Sequence, residues 1–114
     1  MLIKKEETRK KTNSPSCTVW EYDFPNKELW FAIAHMNWRY PETWKVVNHA
    51  CDEMYYILSG KWIIHHETWD YEIKEGDCFL FEKGKRYRVE WDNMKIALPT
   101  APSRYLDQYE NIHD

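Results

Sequence analysis

Several features that mark well-known protein classes are missing from this 114-residue sequence. No run approaches the roughly 20 apolar residues that a membrane span needs, and the first residues lack the apolar core of a secretory signal. The formal net charge is -3, and the body of the chain has no acidic or basic block. We therefore expect a cytoplasmic protein whose partners include neither membrane nor nucleic acid.

Paired cysteines are also missing. Cys17, Cys51 and Cys78 make an odd count, and no two of them form a C-x-x-C pair. This pattern argues against a disulfide framework and against a thiolate zinc cluster. Free thiols in a reducing compartment fit the sequence best.

A sustained 3.6-residue apolar period is the third absence, and aromatic residues are abundant instead. The chain has 7 Trp, 8 Tyr and 4 Phe, and such side chains favour pleated, half-buried surfaces. The length suits one domain with a modest core. We predict a polar, flexible tail over residues 1–16 and a single all-β domain over residues 17–114.

Short apolar or alternating runs, separated by turn signals, follow one another along that domain. Many short strands at such spacing indicate a sandwich or a barrel. Residues 104–112 fit either a short helical turn or an edge strand. The predicted strands cover residues 17–24, 29–36, 44–51, 53–58, 61–66, 69–73, 78–81, 87–91 and 94–98.

Two blocks carry a family resemblance. The first runs from Val47 to Gly60 (VNHACDEMYYILSG) and the second from Gly76 to Tyr87 (GDCFLFEKGKRY). Together they resemble the paired motifs of the cupin superfamily, usually written G-x5-H-x-H-x(3,4)-E-x6-G and G-x5-P-x-G-x2-H-x3-N. Glu53 stands the required distance before Gly60, and His49 takes the place of the second histidine. The resemblance implies a cupin-type double-stranded β-helix, a jelly-roll barrel with a central pocket.

The strand that contains Glu53 indicates which side chains face the pocket. In the resembling family the glutamate faces the barrel interior, so alternation predicts Tyr55 and Ile57 inside with Glu53, and Met54, Tyr56 and Leu58 outside. Apolar residues on both faces imply a second layer, and we expect a homodimer. Gly60 and Gly84 are predicted to reverse the chain, because glycine accepts positive φ.

The usual cupin metal ligands are only half present. Val47 and Tyr87 stand where two of the four ligands are expected, which leaves His49 and Glu53. Two protein donors are too few to hold a divalent ion tightly. We therefore expect no cofactor, with a divalent transition metal at His49 and Glu53 as the alternative.

Polar and aromatic side chains around the glutamate suit a small ligand. Aromatic walls with a few polar groups fit the apolar faces and hydroxyls of a small polar or carbohydrate-like molecule, such as a sugar, or of a small aromatic acid. The leading hypothesis is a binding module. The alternative is an isomerase, epimerase or lyase in which His49 and Glu53 perform acid-base or metal-assisted chemistry, and a purely structural polar pair is a third interpretation. The candidate ligand-binding residues are Tyr40, Asn48, His49, Glu53, Tyr55, Tyr87 and Trp91.

Overall fold

The computed structural model describes residues 1–41, 44–102 and 109–112, apart from the side chains at 91, 92 and 109–112. The described part contains nine strands and one short 3-10 turn. In the described part, no helix is long and apolar enough to cross a membrane. The turn covers Lys5–Glu7. The strands are β1 (Arg9–Ser14), β2 (Cys17–Tyr22), β3 (Trp30–Tyr40), β4 (Lys45–Asn48), β5 (Asp52–His66), β6 (Trp69–Lys74), β7 (Cys78–Phe81), β8 (Arg86–Ala101) and β9 (Tyr109–Ile112).

The strands form one antiparallel sheet that closes into a barrel, as the sequence predicts. β8 is its centre: it pairs with β3 and β4 along one edge and with β5 along the other. β1 and β2 extend the sheet beyond β3, and β9 extends it beyond β4. β6 and β7 both pair with β5.

The inner face of the sheet carries the core, and its phase on β5 is the predicted one. Glu53, Tyr55 and Ile57 are buried, whereas Met54 and the other outward residues of this segment are 39–46% exposed. The inward residues pack against those of β2, β3 and β8 in one apolar cluster. The largest fully buried side chains therefore surround the barrel axis.

Two predicted chain reversals are bends within long strands. Gly60 has φ +97° and lies inside β5, at irregularities in its register with β8. Opposite it, Asn93 has φ +52° inside β8, where the sequence predicted a turn between two strands. A positive φ bends a strand at a bulge as readily as it closes a turn. The prediction was therefore wrong for Gly60, whereas Gly84 does lie in a turn, with φ +82°.

The structure also has a strand that the sequence reading did not predict. Residues 9–14 form β1 and pair with β2, within the segment that we expected to be a tail. Polar side chains suit an exposed edge strand, because one of its faces and one of its edges meet solvent. On the other flank, β9 agrees with the edge-strand reading of the C-terminal region, while residues 103–108 lie outside the described part.

Candidate functional site

The end of β4 and the start of β5 place a polar pair inside the barrel. The Asn48 side-chain amide donates a hydrogen bond to the Glu53 carboxylate, with Nδ2 and Oε1 2.5 Å apart. The Asn48 Oδ1 atom accepts hydrogen bonds from the backbone N–H groups of Ala50 and Cys51, each at 3.0 Å. This local turn is typical of asparagine, and it ends β4. Asn48 therefore links the turn to the buried carboxylate.

Glu53 faces a narrow chamber that the barrel interior leaves open. Its side chain is almost fully buried, at 1% exposure, as are those of Tyr55 and Tyr87 at 2% and 1%. The chamber has about 10 Å³ of space open to the centre of a water molecule, which is room for about one water. It is lined by Asn13, Cys17, Val19, Met36, Tyr40, Glu53, Tyr55, Tyr87 and Leu98.

Further aromatic rings pack against two tyrosines of the chamber lining, Tyr55 and Tyr87. The Phe81 ring centroid lies 4.4 Å from that of Tyr55 and 4.3 Å from that of Tyr87. Trp62 meets Tyr55 edge to face, with ring centroids 5.4 Å apart. Such tilted arrangements are the favoured ones for aromatic pairs. The polar atoms of the chamber are thus held against a rigid apolar wall.

Burial sets the protonation of Tyr55. Loss of solvent raises the pKa of the Tyr55 phenol well above its usual range, and the nearby Glu53 carboxylate and Tyr40 raise it further. The Tyr87 hydroxyl acts in the opposite direction with a smaller effect. Tyr55 is therefore a neutral phenol at neutral pH, which can donate a hydrogen bond to a bound molecule.

The predicted site residues divide between the chamber and the surface. Tyr40, Glu53, Tyr55 and Tyr87 line the chamber, and Asn48 bonds to Glu53 from behind. His49 is exposed, because Asn48 occupies the buried position and the chain turns directly after it. The structure therefore does not place His49 among the chamber residues. The side chain of Trp91 lies outside the described part.

The donors present do not fit a cupin-type metal. Glu53 is buried beside an amide donor, whereas His49 faces solvent. In the described ranges no group of three or more His, Cys, Asp or Glu side chains is arranged to hold an ion. A metal generally needs three or four protein donors at one point.

The sequence reading missed several chamber residues. The lining residues Cys17, Met36 and Leu98 come from β2, β3 and β8. Phe81 and Trp62, which pack against the lining tyrosines, were assigned to strands without a place in the site. Their inward positions follow from alternation once the register of each strand is known. Asn13 gave no such signal, because it lies in the segment that was predicted to be a tail.

A larger, open groove lies on the outside of the barrel, with about 730 Å³ of space open to water. Lys61 and Lys74 lie there together with Glu72, Asp77 and Glu90, so both signs of charge are mixed. None of these charged residues is buried. The chamber therefore holds the more unusual chemistry, because a buried carboxylate is costly unless it is used or well paired.

Comparison with known proteins identifies the fold. No family model and no curated sequence matches this chain. Among solved structures, it is similar to Pac13 of Streptomyces, a nucleoside dehydratase, at TM-score 0.87 and 13% identity over 99% of this chain and 91% of that one. KdgF from Halomonas sp. gives 0.73 and 14% over 87% and 92%, and an RmlC-like cupin from Shewanella frigidimarina gives 0.72 and 14% over 87% of both. Such low identities establish architecture alone: the chain has the cupin fold.

Proposed function

We propose that this cupin domain binds a small hydroxyl-bearing molecule, such as a sugar or a nucleoside, in the chamber beside Glu53. The observation that carries the proposal is the buried Glu53 carboxylate, which shares its chamber with three tyrosines and Asn13. An interior charge costs stability relative to an apolar side chain of the same size. Its presence in a lined cavity favours a binding role.

The chamber offers complementary chemistry for such a ligand. A carboxylate accepts hydrogen bonds from hydroxyl groups, and the neutral phenol of Tyr55 can donate one. The Tyr55 and Tyr87 rings line the chamber and offer flat surfaces that suit the apolar face of a sugar or a base. Asn48 holds Glu53 in place, so the acceptor is oriented before a ligand arrives.

The structural neighbour adds support by analogy. Pac13 structures contain uridine, and three of them are variants with one replaced residue, a histidine in one and a tyrosine in each of the other two. Our chain brings three tyrosines, Tyr40, Tyr55 and Tyr87, to one chamber. A nucleoside is therefore the first probe that we would test.

The size of the chamber sets a condition on this proposal. Ligand pockets generally measure some 300–1,000 Å³, whereas this chamber holds about one water. Binding must therefore move side chains or a strand that covers the chamber.

Calorimetric titration with uridine tests the proposal. We expect binding by the wild-type protein and at least tenfold weaker binding by Glu53→Gln, which keeps the shape of the side chain and loses its charge. Glu72→Gln is the matched control in the outer groove, and it should bind as the wild type does. Loss of binding in Glu72→Gln, with Glu53→Gln unaffected, would assign the ligand to the groove instead.

Acid-base catalysis is the second candidate, and the placement of a buried carboxylate and a buried phenol, Glu53 and Tyr55, in one chamber favours it. The carboxylate would take a proton from a carbon next to a carbonyl group. The phenol would protonate the carbonyl oxygen in an isomerisation, or a departing hydroxyl in an elimination that releases water. This version of the isomerase, epimerase or lyase hypothesis replaces His49 by Tyr55. Incubation with aldoses and ketoses in D₂O should then place deuterium on carbon, and Glu53→Gln should abolish the exchange.

We also propose a homodimer that forms through the outer face of the sheet. Met54, Tyr56, Leu58 and Leu80 are each 39–48% exposed there, and Met54 pairs with Leu80. The five strands from β7 to β2 span about 20 Å, and contiguous apolar patches this wide are uncommon on monomers. Cross-strand neighbours continue the row of Tyr56 through Ala97, Ile33 and Trp20.

Light scattering tests this assembly. The wild-type protein should be dimeric at micromolar concentration, and Tyr56→Glu should make it monomeric. Tyr71→Glu is the control, because Tyr71 has nearly the same exposure, 42% against 44%, but lies on β6. A monomeric wild-type protein would contradict the proposal.

A cytoplasmic location is likewise our proposal, and three free thiols support it.

A further inference from the structure

We infer that strand β1 forms the mouth of the chamber and that Asn13, on this strand, contacts the bound molecule. The inference rests on the proposed function, since it names a further part of the same site. Asn13 comes from the N-terminal segment, far in sequence from the two cupin motifs.

A bulge directs Asn13 to the chamber. Thr12 pairs with Thr18, and Ser14 pairs with Cys17, so β1 holds one residue more than β2 between these two pairs. That extra residue is Asn13, and it lines the chamber together with Glu53, Tyr55 and Tyr87. Bulges of this kind re-aim a side chain and occur often beside functional sites.

The side-chain amide of Asn13 is available to a ligand. Within residues 1–41 and 44–102, no group hydrogen-bonds it. The other polar groups of the lining have charge or hydroxyl chemistry, whereas an amide offers a donor and an acceptor side by side. Such a group suits the adjacent hydroxyls of a sugar or the edge of a base.

The exposure of the lining residues locates the way in. Asn13 and Tyr40 are partly exposed, and every other lining residue is buried. The opening therefore lies between β1 and the end of β3. A molecule larger than water has to displace Asn13, or β1 with it, to reach Glu53.

Contacts at both ends hold β1 over this opening. Arg9 lies 3.3 Å from the carboxylates of Glu21 and Asp23, and Glu21 is only 4% exposed. At the hairpin turn, the Ser16 hydroxyl donates to the backbone carbonyl of Arg39 at 2.9 Å. Among the strands that the structure describes, β1 pairs with β2 alone, so it can separate with the loss of fewer hydrogen bonds than a central strand.

Cys17 is a built-in reporter for the mouth. It lines the chamber at 2% exposure, whereas Cys51 is buried elsewhere and Cys78 is exposed. We expect Asn13→Ala to raise the rate of Cys17 alkylation by iodoacetamide at least fivefold, measured by peptide mass spectrometry. Thr12→Ala, at the neighbouring exposed position, should leave this rate unchanged.

The other two cysteines separate local opening from unfolding. Cys51 should react slowly and Cys78 quickly in every variant. Equal Cys17 rates in Asn13→Ala and Thr12→Ala would overturn the inference. A parallel rise at Cys17 and Cys51 would overturn it too, because global opening would then explain the result.

Uridine titration supplies the second arm. Asn13→Ala should weaken uridine binding at least fivefold, and Thr12→Ala should not. Equal affinities of the wild-type protein and Asn13→Ala would remove Asn13 from the ligand site. Failure of the wild-type protein to bind uridine would count against a nucleoside as the ligand of the proposed function, and the cysteine result would still decide whether β1 forms the mouth.

Discussion

Replacing Asn48 by alanine should destabilise the protein far more than a typical polar substitution. The change removes a hydrogen bond to a buried carboxylate, which contributes about 2 kcal/mol. It also leaves the buried N–H of Cys51 without its acceptor, at a further cost of about 1–3 kcal/mol. We therefore expect a loss of about 3–5 kcal/mol, a large share of the roughly 5–15 kcal/mol available to a small domain.

Urea unfolding followed by tryptophan fluorescence measures this loss. Asn26→Ala is the matched control, because the Asn26 side chain also accepts a backbone hydrogen bond, from Glu28 at 2.7 Å, but on the exposed surface. It should cost less than about 1 kcal/mol. A cost for Asn48→Ala that matches this control would refute the reasoning.

A double-mutant cycle isolates the pair itself. Glu53→Leu should cost about 1–3 kcal/mol, because it leaves the buried Asn48 amide without this acceptor. In the Glu53→Leu background, Asn48→Ala should cost about 2 kcal/mol less than in the wild-type protein. The reason is that this background has no Glu53 carboxylate that could lose its hydrogen-bond donor. Additive costs would show that the 2.5 Å contact contributes nothing to stability.

Three further predictions follow from the same structure. Because folding raises the pKa of Tyr55, the contribution of Tyr55 to the free energy of unfolding is complete below the unfolded pKa of about 10 and is lost as the pH rises towards the folded value. Tyr55→Phe should therefore flatten the fall in stability that urea unfolding measures above pH 10. Gly60→Ala should cost at least about 2 kcal/mol more than Gly76→Ala, since both have positive φ but only at Gly60 would the new Cβ lie 2.5 Å from Met94 Cγ; equal melting temperatures would contradict this. Protein purified without chelator should contain far less than one equivalent of transition metal, and elemental analysis that finds near-stoichiometric metal would overturn the reading of the donors.

The sequence predicted the parts of the fold that depend on local alternation. The motif placed Glu53 inside, and a period of two then assigned Tyr55 and Met54 to opposite faces correctly. Gly60 and Asn93 were misread because a residue with positive φ can close a turn or bend a strand. The difference depends on pairing with a distant strand, which the local sequence does not contain.

The same limit applies to the site. His49 was predicted to face Glu53, but the position at which β4 ends decides which of two neighbouring residues points inward, and Asn48 does. β1 is stabilised by pairing with β2 and by the contact of Arg9 with Glu21. Its composition alone is that of a solvated tail, so Asn13 could not be found from the sequence.

A crystal structure of untreated protein tests the central claim most directly. We predict electron density for a hydroxyl-bearing organic molecule beside Glu53 and Tyr87, in a chamber larger than the present one, with Asn13 in contact with it. A chamber that holds a single water while a ligand occupies the outer groove, or a metal ion bound to Glu53, would contradict the account.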